Sequence, residues 1–203
     1  TAAYARLTTA VAGFVIDDQH AYAHQFGHEL YKVEGERGII ACGTGFSLGC
    51  FHQFLGDAIA DMGQGAVARL YRECGEVTGT TDLCQHGLGH GIVSGIGYTE
   101  SNLREALALC DSVTKEKTYS GCYGGVFMEY NMRTIATAEQ TMTSRVPEEN
   151  NLYAPCASLD SETDRICTFW LPESSKYEVD LLPEVKHKKA PKFWNAIFVR
   201  SEK

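Results

Sequence analysis

The sequence predicts an all-α protein built from two pseudo-repeated helical units, with disulfide-stapled loops and a C-terminal extended arm. Three observations carry this. Apolar residues recur at helical spacing through most of the first 138 residues. The pattern H-x-x-G-H occurs twice, at His24-Gln25-Phe26-Gly27-His28 and at His86-Gly87-Leu88-Gly89-His90, offset by 62 residues. A second pair of motifs follows in the same order, Gly49-Cys50-Phe51 and Gly121-Cys122-Tyr123, offset by 72. Shared motifs in one order are the signature of a duplicated unit, and copies of a unit pack about a pseudo-twofold axis.

Taken in order, Thr1 to Ile16 places Tyr4, Leu7, Val11, Phe14 and Val15 on one helical side. Its apolar part, Leu7 to Ile16, is too short to cross a bilayer and reads as a first helix or the remnant of a leader; a start at Thr1 without Met fits a cleaved precursor. Asp17 and Asp18 are expected to cap a helix from about Gln19 to Val33, which Gly35 and Gly38 end. Ile39 to Gly49 is a glycine-rich connection. Helical patterns follow over Phe51–Met62 and Ala66–Cys74, then a polar loop over Gly75–Asp82. Further helices are expected over Gln85–Gly95, Asn102–Asp111 and Tyr123–Ala138, and a short one between Cys156 and Cys167. The repeat units span about 19–74 and 84–138, and a third cysteine-stapled segment covers 139–172. Residues 1–172 thus form the helical domain and 173–203 the arm. The arm holds a basic stretch, Lys186 to Lys192 with His187 inside it, and a strand-prone apolar run, Phe193 to Val199. That run either packs on its own body or adds to a neighbouring subunit.

The chain has 203 residues, 44% hydrophobic and 22% charged, which is an ordinary globular balance. A net charge of −8 disfavours nucleic acid and anionic membranes as partners. No apolar run is long enough to span a membrane. All eight cysteines can pair, and no C-x-x-C is present, which removes zinc ribbons, thioredoxin-like sites and c-type haem attachment. Sequential neighbours, Cys42/Cys50, Cys74/Cys84, Cys110/Cys122 and Cys156/Cys167, would each staple a loop between helices. Each such loop contributes roughly 2–3 kcal/mol in the loop-entropy model. Disulfides in this number predict an extracellular or periplasmic, secreted protein.

Four of the seven histidines sit in the repeated device. Two imidazoles four residues apart share one helical face and form a clamp for a metal ion. The candidate ligands are His24, His28, His86 and His90. His52 is a further ligand or an acid/base group, and Asp57 and Glu129, each seven residues after its cysteine, are possible carboxylate ligands. His20 and His187 are expected to be exposed. Such a set suits Zn, Cu, Fe or Mn; opposed imidazoles can also clasp a b-type haem, which nothing else favours. The alternative is structural: histidines flanked by glycines satisfy buried loops by hydrogen bonding. The first function is therefore a secreted metal-binding protein with a His-rich site at the repeat interface, with metalloenzyme activity left open. The second is a non-catalytic assembly subunit, filament or oligomer, joined through Phe193–Val199. Other chemistries lack support: Ser94 and Ser120 have no nucleophile-elbow context, the acid in His24-x-x-x-His28-Glu29 is misplaced for a zinc protease, and no P-loop or dinucleotide fingerprint is present.

The motifs Cys50-Phe51-His52, Cys84 to Gly91 (CQHGLGHG), Glu105 to Asp111 (EALALCD) and Gly121 to Tyr130 (GCYGGVFMEY) resemble a family of uncharacterised helical proteins. That family's signatures look like H-x-x-x-H-x-x-G, G-C-Y-H-G, C-x-H-G-x-G-H-G, A-L-x-x-C-D and C-x-x-G-V-F-M-E. Pro155-Cys156 and Cys167 to Trp170 are also similar to it. The resemblance covers roughly residues 20–170 and implies architecture, not mechanism. Gln53 departs from it, standing where the pattern has glycine after His52, and the arm lies outside it.

Overall fold

The computed structural model describes residues 2–77, 79–133, 145 and 153–171. Among these the chain is all-α: α1 (Ala2–Val11), α2 (Ile16–Glu34), α3 (Gly49–Met62), α4 (Val67–Gly75), α5 (Thr81–Ile96), α6 (Glu100–Val113), α7 (Cys122–Met132) and α8 (Ser161–Phe169). No helix among the described residues is long and apolar enough to cross a membrane. The expected arm, including Phe193–Val199 and His187, lies outside the described residues, as do most of 139–152.

Local chemistry sets most boundaries. Thr99 and Asn102 form a reciprocal capping box at the start of α6. The Asp160 carboxylate accepts from the backbone N–H groups of Glu162 and Thr163, capping α8. Several boundaries differ from expectation; α5, for one, begins at Thr81, inside the stretch expected as a polar loop. The first helix stops at Val11, and α2 already begins at Ile16, so Asp17 and Asp18 lie inside its first turn. There they oppose the helix dipole favourably but do not cap it. The helix expected over Tyr123–Ala138 ends at Met132, where Arg133 takes a left-handed φ of 48°; 134–138 lie outside the described residues.

The expected cysteine scheme is present in full: Cys42–Cys50, Cys74–Cys84, Cys110–Cys122 and Cys156–Cys167. Each half-cystine is buried, and each bond ties the connection that leads into a helix.

Helix α5 is the centre of the molecule. It packs on α3 along one side and on α7 along the other, while α2 covers the far side of α3. Phe51, Phe54 and Leu55 of α3, Leu88 and Ile92 of α5, and Tyr123 and Phe127 of α7 are fully buried between them. The glycines of α5 explain how close these helices come. A Cβ on Gly89 would stand 2.2 Å from the Cys122 carbonyl oxygen of α7, and one on Gly91 would stand 2.7 Å from the Leu55 carbonyl oxygen of α3. Backbone cannot move aside for a methyl group at that distance, so only glycine allows the contact. The α2–α3 contact has the same construction: a Cβ on Gly27 would stand 2.4 Å from the Cys50 carbonyl oxygen.

A candidate metal centre of five histidines

Five rings from α2, α3 and α5 come together, with α3 in contact with both of the other helices. His20 and His24 come from α2, His52 from α3, and His86 and His90 from α5. Their potential ligand atoms form two triads that can hold a metal ion, His20/His24/His52 and His52/His86/His90, with all atoms within each triad no more than 4.8 Å apart. His52 belongs to both. Its ring centroid lies 5.7 Å from those of His20 and His24, 6.1 Å from His86 and 4.1 Å from His90.

Helical spacing explains the pairs. His20/His24 and His86/His90 are each one turn apart, so each pair shares a face. His52 follows Cys50 by two residues, and the Cys42–Cys50 bond fixes the entry into α3. The approach to α3 is a turn in which Phe46, Ser47 and Leu48 all have positive φ, at 56°, 51° and 65°. Three non-glycine residues in this region cost roughly 1–2 kcal/mol each. The strain has a local consequence: the Phe46 carbonyl is turned onto the His20 ring and accepts from Nδ1 at 2.7 Å.

The other rings are held in the same manner. His24 Nδ1 donates to Gln53 Oε1 at 3.2 Å. The Gln53 amide is oriented by its own donation from Nε2 to Asp57 Oδ1 at 2.9 Å. His90 Nδ1 donates to Glu129 Oε2 at 2.9 Å, and Glu129 Oε1 accepts from the Tyr98 hydroxyl at 2.7 Å. Both His90 and Glu129 have no exposed surface. Burial, reinforced by Glu129, pushes the Tyr98 phenol above its ordinary range, so it stays a donor. Outer-shell acceptors of this kind fix the tautomer and orientation of metal-binding imidazoles.

Burial favours the neutral form of His20, His24, His52 and His86. Burial holds the His24 ring down to about 4, and His20 beside it adds to the effect. Burial also lowers His20, and it holds His52 and His86 well below the usual imidazole range, with neighbouring histidines contributing. Neutral imidazole is the ligating form.

The donor set fits a transition ion, and buried polar atoms support that fit. His52 is 1% exposed, and neither of its ring nitrogens has a hydrogen-bond partner among the described residues. Buried polar atoms of this kind call for an ion or water. At the His52/His90 contact the rings stack with 23° between their planes. In-plane lone pairs of stacked rings lie in separate, nearly parallel planes, so joint ligation of one ion by His52 and His90 would require one ring to turn.

The structure treats the candidate ligands unequally. His24, His52, His86 and His90 come together. His28 is in neither triad: it is half-exposed and donates from Nδ1 to Asp57 Oδ2 at 2.8 Å. Asp57 and Glu129 contact histidines through hydrogen bonds, and neither is part of a triad. His20, expected at the surface, is half-buried inside the cluster. The sequence did carry a signal for it, since His20-x-x-x-His24 has the same four-residue spacing as His86-x-x-x-His90. Nothing in the sequence marked the Phe46 carbonyl or Gln53 as ring-orienting groups.

A scan against protein-family models and searches of curated proteins and of solved structures find no match.

Proposed function

We propose that this is a secreted metal-binding protein whose centre is the histidine cluster of α2, α3 and α5. One observation carries the reading. His20 Nε2 and His24 Nε2 lie 3.0 Å apart, while both Nδ1 atoms already donate to oxygens that can only accept. Each Nε2 therefore presents a lone pair to the other. A proton between them would make one ring cationic, which burial opposes. A metal ion resolves the conflict. With metal–nitrogen bonds of about 2.0–2.1 Å, two ligands on one ion stand roughly 2.9 Å apart at a right angle and about 3.3 Å at the tetrahedral angle. Imidazole-only coordination suits zinc, copper, iron or nickel.

The same reading takes α2–α3 and α5–α7 as two copies of one unit. In support, Gly27 sits on the Cys50 carbonyl as Gly89 sits on that of Cys122, and His28–Asp57 parallels His90–Glu129. The four disulfides support export to an oxidising compartment. The test is elemental analysis of untagged protein as isolated, followed by titration of the metal-free form with Zn, Cu and Fe. A stoichiometric ion, lost in His24→Ala, supports the proposal; no ion and no affinity for any of the three overturns it.

A further inference from the structure

We propose that His52 bridges two metal ions, one held with His20 and His24 and the other with His86 and His90. The inference rests on the metal-binding reading above and deepens it. His52 stands on α3 between the two pairs and is the one residue common to both triads. It also differs from the tethered rings. His20, His24 and His90 each commit Nδ1 to an oxygen acceptor, which is what a ring needs when one nitrogen ligates and the other keeps its proton. His52 has no acceptor for either nitrogen, although it is 1% exposed. A ring that ligates through one nitrogen would leave an N–H stranded in the core, at a cost of about 1–3 kcal/mol. A ring that ligates through both has no proton to place. On binding the second ion the remaining N–H bond breaks, its electron pair becomes the new ligand bond, and the proton leaves to solvent. Each ion then has three nitrogen ligands, and the bridge leaves no buried nitrogen of His52 unused.

Copper(II) tests this directly, because two copper ions joined by one imidazolate couple magnetically. Metal-free, untagged protein is loaded with excess copper(II), passed through a desalting column in histidine buffer to strip weak surface sites, and measured by elemental analysis, native mass spectrometry and EPR. The expected result is two copper ions per chain, with integrated EPR intensity well below two spins and a half-field transition. His28→Ala, outside both triads, retains that spectrum, whereas His52→Ala loses the coupling. One copper per chain, or two with full uncoupled intensity, overturns the bridge and leaves the metal centre standing. No bound copper, zinc or iron overturns both readings. The intact-protein measurement stands even if the His52 variant fails to fold.

Discussion

His20 Nε2 and His24 Nε2 face each other at 3.0 Å, and both rings are fixed from behind, by the Phe46 carbonyl and by Gln53 Oε1. Neither ring can flip its tautomer cheaply. Deprotonating Nδ1 of His20 would set a lone pair against a carbonyl oxygen. Reversing the Gln53 amide to suit His24 would turn its oxygen onto Asp57. The convergence is therefore built into the fold, and consequences for stability, pH response and affinity follow from it.

Replacement of His52 separates folding from ligation. His52→Leu removes two buried nitrogens without partners. The metal-free variant is expected to be as stable as the parent or more so, by up to about 1–3 kcal/mol. It also loses the stabilisation that a bound ion would give, about 2.7 kcal/mol at a hundredfold excess over Kd, and with it the rise in Tm. Thermal melts with and without zinc measure both effects. A metal-free His52→Leu protein several kcal/mol less stable than its parent would show that the ring holds the fold by itself.

Acid destabilises the metal-free fold in a definite window. An unfolded chain protonates its histidines as pH falls through about 6.5. Native His24 resists until about 4, and His52 and His86 are also held low by burial. Between these limits the unfolded state binds more protons, so stability is full above about pH 6.5 and declines steadily toward pH 4. His24 alone accounts for a loss of roughly 3 kcal/mol at the lower end. Urea midpoints across this range, taken in chelator, test the sign; a flat profile contradicts it.

Glu129→Gln keeps the shape of the buried side chain but removes the charge that orients His90. The expected result is a folded protein with metal affinity reduced 10- to 100-fold. Competition against a chelator of known affinity measures this. Unchanged affinity would mean that His90 does not ligate.

The close helix contacts predict sharply different glycine substitutions. Gly89→Ala drives a methyl group into the Cys122 carbonyl. It is expected to cost at least the 1–3 kcal/mol typical of overpacking, since the nearest neighbours, in Cys122, Gly125 and Val126, are all backbone atoms. Gly75→Ala meets nothing within 4 Å, and is expected to stabilise by roughly 0.4–1 kcal/mol through the unfolded chain. Denaturant midpoints of the pair give the comparison.

The sequence by itself determined the helical class, suggested the four sequential disulfides and included His24, His52, His86 and His90 among its candidate ligands. Helical periodicity is local, neighbouring cysteines recur at similar short separations, and a four-residue histidine spacing already places two rings on one face. The tertiary structure alone decided which histidines converge. His28 and His20 lie on opposite sides of His24 along α2, each one turn away, and the packing of α2 on α3 sets His20 beside the Phe46 carbonyl and His24 but sets His28 against Asp57. That packing includes the Gly27 contact with the Cys50 backbone and the left-handed turn at Phe46–Leu48 that leads into α3. The first joins residues far apart in the chain and the second is a left-handed turn without glycine, and a residue pattern encodes neither. The role of Gln53 was hidden for the same reason: its amide acquires direction only when Asp57 and His24 stand on either side of it.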